Sequence, residues 1–303
     1  MPTATPRVAV LGLGAMGLPM ARRIATRLPV TVYDVAADRR ALLAAEGARD
    51  AASPADAAHD ADLVLLAVRD RAQLDAALFG TDGAAGALRP GATVILTSTI
   101  GPDAARETAD RLAELGAHTV DAPVSGGPVR ASEGDLLIVV GGHPAALDTA
   151  RPVLDLLAST LTVVGPRPGD GQALKAINQL LAGVHIAAAA EAVALARGLG
   201  LDPATVVESL RHGAAGSFMF ADRGPRMVET YAEGPDPEVK SRLDIFVKDM
   251  GIVTDVAKSA HVPVPLAAAA EQLYLLGERA GLGARDDSSV VTVLSPRGAT
   301  GDE

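Results

Sequence analysis

The sequence Val8-Ala-Val-Leu-Gly-Leu-Gly-Ala-Met-Gly17 decides the fold of this 303-residue chain. Its four apolar residues indicate a buried strand, and the G-x-G-x-x-G pattern follows where such a strand would turn into a helix. The first glycine permits a tight turn, the second lets the backbone approach a pyrophosphate, and the third lets helix and strand pack closely. The sequence therefore predicts a dinucleotide site, with its pyrophosphate at the helix N-terminus, formed by Gly12, Leu13, Gly14, Ala15, Met16 and Gly17.

The acidic residue after the second predicted strand indicates which dinucleotide binds. Asp34 lies 22 residues after Gly12 and follows the run Val30–Tyr33. A carboxylate at this place accepts hydrogen bonds from the adenosine ribose hydroxyls and repels a 2′-phosphate. We therefore expect NAD rather than NADP. Arg39 and Arg40 keep NADP open as an alternative, although two such arginines also fit solvated charges on a helix.

Short strand-like runs alternate with helical runs up to about residue 165, and only helical patterns follow. The predicted strands are 8–11, 30–33, 63–68, 93–97, 119–121, 136–140 and 162–164. The predicted helices are 16–28, 38–46, 71–79, 103–115, 145–158, 171–197, 203–212, 218–231, 241–260, 264–281 and 286–294. We predict an α/β Rossmann-type N-terminal domain with a parallel sheet (1–165) and an all-α C-terminal domain (166–303), joined by the long interdomain helix at about 171–197.

Composition excludes several classes of protein. The net charge of −10 opposes binding to nucleic acid, and the absence of Cys excludes disulfides, thiolate metal sites and Cys nucleophiles. The six His are scattered without ligand spacing, and Asp286-Asp287 fits a helix cap, so we expect no metal. The N-terminus lacks a signal-peptide pattern, and the apolar run 180–190 ends at Glu191. We expect a cytoplasmic protein with no membrane partner.

Lysine is rare enough here to be informative. Of 27 Lys plus Arg residues only four are Lys, at 175, 240, 248 and 258. Lysine loses its proton readily when it is desolvated, whereas arginine does not. Lys175 and Asn178 lie three residues apart and face the same way on a helix, after Gly169 and Gly171. An ammonium beside an amide can exchange a proton with a substrate hydroxyl, although a lone helical Lys is more often a solvated charge.

A second glycine-containing segment follows the predicted strand 119–121. In Asp121-Ala-Pro-Val-Ser-Gly-Gly-Pro128, the residues Ser125, Gly126 and Gly127 could expose adjacent backbone N–H donors to a carboxylate. A plain turn is the alternative for this segment. Nothing local supplies a general base for Ser125, which argues against a serine hydrolase.

Taken together, these motifs resemble the β-hydroxyacid dehydrogenase family, which includes 3-hydroxyisobutyrate dehydrogenase. The matching stretches are Gly12–Gly17, Thr97–Ile100, Asp121–Gly127, the Gly171/Lys175/Asn178 helix and Lys248–Gly251. The second half is most similar to the L-threonate dehydrogenase subgroup, through residues 177–191, 243–249 and 286–288. Gln179 stands where the wider family often has a second Asn, a departure that this subgroup shares.

The resemblance implies a role for each motif. It implies that Lys175 is the catalytic residue, that Ser125, Gly126, Gly127 and Asn178 surround the substrate, and that Thr99 and Lys248 lie near the nicotinamide. We also assign Val68, at the end of the third predicted strand, to the cofactor site. The resemblance further implies a homodimer or homotetramer.

The expected function is oxidation of a short hydroxy acid, either L-threonate-like or 3-hydroxyisobutyrate-like, to the oxo acid or semialdehyde with NAD. Imine reduction on the same scaffold is one alternative, against which Lys175 argues, because the related imine reductases usually lack a lysine at this position. A catalytically silent dinucleotide-binding protein is the other alternative. Turnover of a hydroxy acid would separate it from a dehydrogenase.

Overall fold

The computed structural model describes residues 5–234 and 236–298, and the chain divides into two compact units, Met1–Lys175 and Ala176–Glu303. The first unit is a mostly parallel sheet with helices, and the second is helical. The predicted fold class is therefore confirmed.

The first unit alternates strands and helices along the chain. Its strands are β1 (Val8–Leu11), β2 (Val30–Tyr33), β3 (Arg49–Asp50), β4 (Leu63–Leu66), β5 (Thr93–Leu96), β6 (His118–Asp121), β7 (Val124–Ser125), β8 (Leu136–Gly141) and β9 (Ala158–Gly165). Its helices are α1 (Gly17–Ala25), α2 (Ala37–Ala44), α3 (Pro54–Ala58), α4 (Arg71–Phe79), α5 (Pro102–Glu114), α6 (Gly127–Glu133) and α7 (Pro144–Leu157), with a 3₁₀ turn at Ala84–Ala87. Helix α8 (Asp170–Gly198) begins in this unit and continues into the second.

The sheet has the strand order β3-β2-β1-β4-β5-β6-β8-β7, and β9 pairs with β8. Strands β1 to β6 pair in parallel, whereas β8 runs antiparallel to β6 and β7. The strand order changes direction between β1 and β4, which is the place where open α/β sheets bind ligands beyond their carboxyl ends. The loops that follow β1 and β4 are therefore the first candidates for a cofactor site.

Both faces of this sheet are covered, as a parallel sheet requires. Along β1, Val8 and Val10 belong to one core cluster, while Ala9 and Leu11 belong to another on the opposite face. Helix α1 buries Met20, Ala21 and Ile24, which lie on one side of a 3.6-residue period. The continuous apolar run of β1 is thus explained by burial on both faces of the sheet. The buried strand also holds the start of the glycine loop at the carboxyl edge of the sheet.

The second unit consists of the rest of α8 followed by shorter helices. These are α9 (Pro203–Leu210), α10 (Phe218–Glu229), α11 (Leu243–Ser259), α12 (Pro265–Arg279), a 3₁₀ turn at Asp287–Val290 and α13 (Val291–Leu294). Its core combines small side chains of α8 with Phe246 and Tyr274, whose rings stack at 5.3 Å between centroids. Tyr274 Oη donates to the carbonyl of Gly183 at 2.8 Å. A glycine at 183 lets α8 approach its neighbours closely.

The structure differs from the sequence expectations in its shortest elements. Strands β3 and β7 and helices α3 and α6 were not predicted, because two to seven residues are too few to establish a periodicity. The predicted helix 286–294 is a 3₁₀ turn followed by four α-helical residues. This segment starts at Asp286, whose side chain accepts from the N–H of Ser288 and caps the turn, as the sequence suggested.

Helix α8 is long and apolar enough, by length and composition alone, to cross a membrane. Half of its most apolar window is buried inside the protein, however, as in the core helix of a soluble protein. The helix is therefore no indication of a membrane span.

Candidate active site

The glycine loop has the geometry of a dinucleotide cradle. Gly12 has φ +96°, and a Cβ atom there would lie 2.6 Å from the carbonyl oxygen of Ala67. A Cβ at Gly14, in contrast, would meet nothing nearer than Arg39 Nη1 at 4.0 Å. Gly12 is thus required by the fold, while the open side of Gly14 leaves the backbone accessible to a phosphate. These residues fit a dinucleotide.

Asp34 contacts the glycine loop directly. Its side chain is 7% exposed, Oδ2 accepts from the N–H of Leu13 at 2.6 Å, and Oδ1 accepts from the N–H of Ala36 at 2.8 Å. A carboxylate has about four lone-pair positions, so Asp34 keeps acceptor capacity for ribose hydroxyls. Arg40 donates to the carbonyl of Asp34 at 2.7 Å and to Asp50 Oδ1 at 2.8 Å. The guanidinium of Arg40 is therefore bound by groups of the protein itself.

The loops after β4 and β5 meet the glycine loop at the carboxyl edge of the sheet. The N–H of Val68 donates to Ser98 Oγ at 2.9 Å, and Val68 Cγ1 would lie 3.1 Å from a Cβ at Gly12. Thr97 Oγ1 donates to the carbonyl of Leu66 at 2.6 Å. Thr99, the next residue after Ser98, therefore belongs to the same edge. Two predicted cofactor residues, Val68 and Thr99, thus lie on adjacent loops.

The Ser125 segment forms a sharp junction between β7 and α6. Ser125 pairs with Leu137 of β8, Gly126 has φ +142° and Gly127 has φ +77°. Only glycine adopts such backbone angles readily, so the two glycines are required for the turn. Ser125 is half-buried and Gly126 is exposed. The predicted carboxylate site at these residues remains a prediction.

Lys175 lies in the second turn of α8 and is only 7% exposed. The structure therefore argues against a solvated surface charge, which was the alternative interpretation of this residue. The start of α8 is attached to the sheet through Asp121, the last residue of β6. Asp121 Oδ2 accepts from the backbone N–H groups of Gly169 at 2.9 Å and Gln172 at 2.8 Å.

Asp121 and Gln172 form a buried pair that the sequence analysis did not assign. Asp121 is fully buried, Gln172 is 1% exposed, and Gln172 Nε2 donates to Asp121 Oδ1 at 2.9 Å. Burial raises the pKa of the Asp121 carboxyl to about 6, against the opposing effect of the hydrogen bonds from Gln172, Gly169 and Gly171. The two residues lie 51 positions apart in the chain, so no local pattern indicates their contact.

In the second unit, a chain of hydrogen bonds connects two predicted site residues. Asn178 Nδ2 donates to Gln179 Oε1 at 2.8 Å, Gln179 Nε2 donates to Asp249 Oδ2, and Lys248 Nζ donates to Asp249 Oδ1 at 2.6 Å. Asp249 and Gln179 are buried. The carboxylate of Asp249 thus binds the ammonium of Lys248. Asp244 forms an ion pair with Arg242.

Acidic clusters do not form a metal centre in the parts of the chain that the structure describes, residues 5–234 and 236–298. Asp286 Oδ2 accepts from Arg226 Nη1 at 2.5 Å, and Asp287 Oδ2 accepts from Arg223 Nη2 at 2.8 Å. These two carboxylates are therefore paired with arginines. Phe220 is buried in the core of the second unit, whereas Phe218 is 74% exposed.

Comparison with known proteins gives matches over almost the whole chain. The NAD binding domain of 6-phosphogluconate dehydrogenase matches residues 7–165, and the NAD-binding domain of NADP-dependent 3-hydroxyisobutyrate dehydrogenase matches residues 169–294. An L-threonate dehydrogenase from Cupriavidus necator is 40% identical over 288 residues, which cover 95% of this chain and 95% of the relative.

Solved structures support the same grouping. A 3-hydroxyisobutyrate dehydrogenase from Salmonella typhimurium has a TM-score of 0.87 and 39% identity, and the match covers 95% of this chain and 99% of that one. An imine reductase from Streptomyces aurantiacus has a TM-score of 0.64 and 27% identity over 95% of this chain and 99% of that one. The hydroxyacid dehydrogenase is thus the more similar of the two in both structure and sequence.

Proposed function

The chain belongs to the β-hydroxyacid dehydrogenase family of NAD(P)-dependent oxidoreductases acting on CH–OH groups, and we propose that its substrate is L-threonate or a closely similar four-carbon aldonate. The sequence resemblance to this family is confirmed, and the hydroxyacid dehydrogenase function is favoured over imine reduction. A 3-hydroxyisobutyrate-like acid is the second substrate class to test, because a relative of that name has 39% identity.

The burial of Lys175 supports this proposal most directly. Lys175 is only 7% exposed and lies on a helix that begins beside the carboxyl edge of the sheet, and a buried lysine is a suitable general base for a hydroxyl proton. Lys175 accepts the proton of the substrate hydroxyl in oxidation and returns it in reduction. The bound NAD supplies the acceptor for the hydride. Ser125, Gly126 and Gly127 bind the substrate carboxylate through backbone N–H groups, and Asn178 orients the reacting oxygen.

The cofactor residues follow from the same reasoning. The glycine loop from Gly12 to Gly17 binds the pyrophosphate, and Asp34 binds the adenosine ribose. Thr99 and Lys248 serve the nicotinamide half, and Val68 lines the cofactor site. The preference for NAD over NADP rests on the carboxylate of Asp34, which would repel a 2′-phosphate.

We place the protein in the cytoplasm as a homodimer or homotetramer, with no nucleic-acid or membrane partner. The net charge of −10 supports the exclusion of nucleic acid, because phosphate backbones bind cationic surfaces.

The decisive experiment measures NADH formation at its absorbance band with both enantiomers of three- to five-carbon hydroxy acids, with NAD and NADP in parallel. We expect turnover of L-threonate with NAD. The Lys175→Ala variant should bind NADH as wild type does and lose about 10²- to 10⁴-fold in kcat, the usual contribution of a general base. Lys175→Arg should recover little, because guanidinium stays protonated.

Lys258 provides the matched control, because it is an exposed lysine near the end of α11. Lys258→Ala and Lys258→Arg should leave kcat unchanged. Near-normal rates in Lys175→Arg would show that Lys175 does not transfer the proton. NADH binding without turnover of any hydroxy acid would favour the silent dinucleotide-binding protein, and turnover of cyclic imines alone would favour the imine reductase.

A further inference from the structure

We propose that Gln172 is a positioning residue for the reaction: its side-chain amide sets where the amine of Lys175 lies relative to the loops after β5 and β6. The inference rests on the proposed dehydrogenase function, because it assumes that Lys175 is the proton acceptor. It adds a residue that contacts neither substrate nor cofactor and acts through Lys175.

Every hydrogen-bonding position of the Gln172 side chain is used. Oε1 accepts from the backbone N–H groups of Ile100 at 3.0 Å and Gly101 at 3.2 Å, and Nε2 donates to the carbonyl of Ser98 and to Asp121 Oδ1, both at 2.9 Å. Two acceptances and two donations are the full capacity of a primary amide. One buried side chain thus connects the loop after β5, the end of β6 and the start of α8.

Only an amide of this length satisfies these partners. The substitution Gln172→Glu would present an acceptor to the carbonyl of Ser98 and to the carboxylate of Asp121, and Gln172→Met would remove all four hydrogen bonds of this side chain. Buried polar groups without partners are costly, so either change displaces the loops or the helix. The arrangement is therefore specific to glutamine.

The first turn of α8 is held against the sheet by two features. The backbone N–H of Gln172 donates to Asp121 Oδ2, so a carboxylate from β6 caps this helix. A Cβ atom at Gly171 would lie 2.8 Å from the carbonyl oxygen of Val139 and 3.0 Å from that of Asp121. The helix therefore approaches the sheet as closely as glycine allows. Asp170, the other acidic group at this end, accepts from the N–H of Arg167 at 3.1 Å.

Lys175 follows Gln172 by three residues, so both side chains project from the same side of the helix one turn apart. A rotation or axial shift of the first turn would move both together. Displacements of about 1 Å in a catalytic group can cost about 100-fold in rate. The loop contacted by Gln172 also contains Thr99, between Ser98 and Ile100. Gln172 thus controls the distance between the predicted proton acceptor and a predicted cofactor residue.

The test compares Gln172→Glu and Gln172→Met with the wild type, and uses Gln272→Glu as a matched control on the exposed surface of α12. In Gln172→Glu, the introduced carboxyl group and that of Asp121 would face each other at hydrogen-bonding distance, and such a pair shares one proton when the pH is lowered. We expect both variants to keep their NAD KM and to lose about 30-fold or more in kcat near pH 9.

The pH profile separates positioning from general damage. As the pH falls from about 9 to about 6, the ratio of the Gln172→Glu kcat to the wild-type kcat should rise about fivefold or more, because a protonated carboxyl again donates to its neighbour. The same ratio should stay flat for Gln172→Met. Values of kcat within about threefold of wild type for both variants, or flat ratios for both, would overturn the proposal.

A second measurement detects changes in the surroundings of the Lys175 side chain without requiring turnover. Selective ¹³C-lysine labelling gives only four lysine side-chain signals, because the chain contains four lysines, and Lys175→Arg assigns one of them. The Lys175 Cε resonance should shift in both Gln172 variants with NADH bound, while that of Lys258 stays in place. An unmoved Lys175 resonance would contradict the positioning role. If the wild type turns over no hydroxy acid, the proposed function fails, and this resonance alone decides whether Gln172 positions Lys175.

Discussion

Asp121 is the residue whose charge state should be visible in the stability of the protein. Burial raises the pKa of its carboxyl from 3.8 to about 6 in the folded state. The folded state therefore binds the proton more tightly than the unfolded state, so the stability that Asp121 contributes is fully present below about pH 4 and is lost as the pH rises through about 6.

This asymmetry predicts the behaviour of Asp121→Asn. The free energy of unfolding of the wild type, relative to that of the variant, should increase by about 2 kcal/mol between about pH 6 and about pH 4, since one pKa unit corresponds to about 1.4 kcal/mol and both carboxyl states are partly protonated at the ends of this range. Denaturant unfolding at a series of pH values measures it. Asp110→Asn, on the exposed side of α5, should run parallel to the wild type. If the difference in the free energy of unfolding between the wild type and Asp121→Asn is constant with pH, the pKa of Asp121 is the same in the folded and unfolded states.

Residues whose chemistry is unusual for their surroundings are predictable from the sequence, whereas residues defined by distant contacts are not. Lys175 stood out because lysine is rare in this chain, and the Gly12 loop because its pattern follows a strand. Gln172 did not stand out, because its partners lie 51 to 74 positions away along the chain. A buried glutamine and a surface glutamine look alike until the fold brings their partners together.

Helix α8 offers a prediction that compares its two ends. A Cβ atom at Gly171 would lie 2.8 Å from the carbonyl oxygen of Val139 and 3.0 Å from that of Asp121. A Cβ atom at Gly198 would have no neighbouring atom within 4 Å. Gly171→Ala should lower the free energy of unfolding by about 1 to 3 kcal/mol through overpacking and should also lower kcat. Gly198→Ala should raise it by about 0.5 to 1 kcal/mol, because alanine favours the helix, and should leave kcat unchanged.

Thermal or denaturant unfolding, together with kcat at saturating substrate, checks both ends. Equal effects of the two substitutions on stability would mean that the close approach at Gly171 is not rigid. A Gly171→Ala variant with lower stability but unchanged kcat would separate helix seating from catalysis and weaken the role assigned to the first turn.

At the level of elements, long and strongly patterned segments were predictable and short ones were not. The parallel strands and α8 follow from continuous apolar runs and helical periodicity. Strand β7 and helix α6 depend on the backbone angles of Gly126 and Gly127, which the sequence permits without specifying. Their formation is decided by pairing of Ser125 with Leu137, a contact that only the folded sheet supplies.

The whole molecule contains one unit with the cofactor loop and another whose stability depends on a buried ionic network. Arg226 is 5% exposed and contacts Asp286 Oδ2 at 2.5 Å, Asp222 Oδ2 at 3.2 Å and Asp287 Oδ1 at 3.5 Å. Burial raises the pKa of the Asp287 carboxyl, and the charges of Arg223 and Arg226 oppose this rise. Removing one partner of a buried ion pair leaves a charge without compensation.

Arg226→Met should therefore lower the stability of the second unit by about 3 to 5 kcal/mol. Arg211→Met, which removes a surface pair with Glu208 and an exposed contact with His212, should cost less than about 1 kcal/mol. Each unit has its own hydrophobic core, so we expect two thermal transitions in Arg226→Met. NADH at about 100 times its Kd for the first unit alone should stabilise that unit, which contains Gly12 and Asp34, by about 2.7 kcal/mol and move the upper transition. Differential scanning calorimetry with and without NADH measures both effects. A single transition that moves as a whole with NADH would instead mean that the two units unfold as one cooperative system.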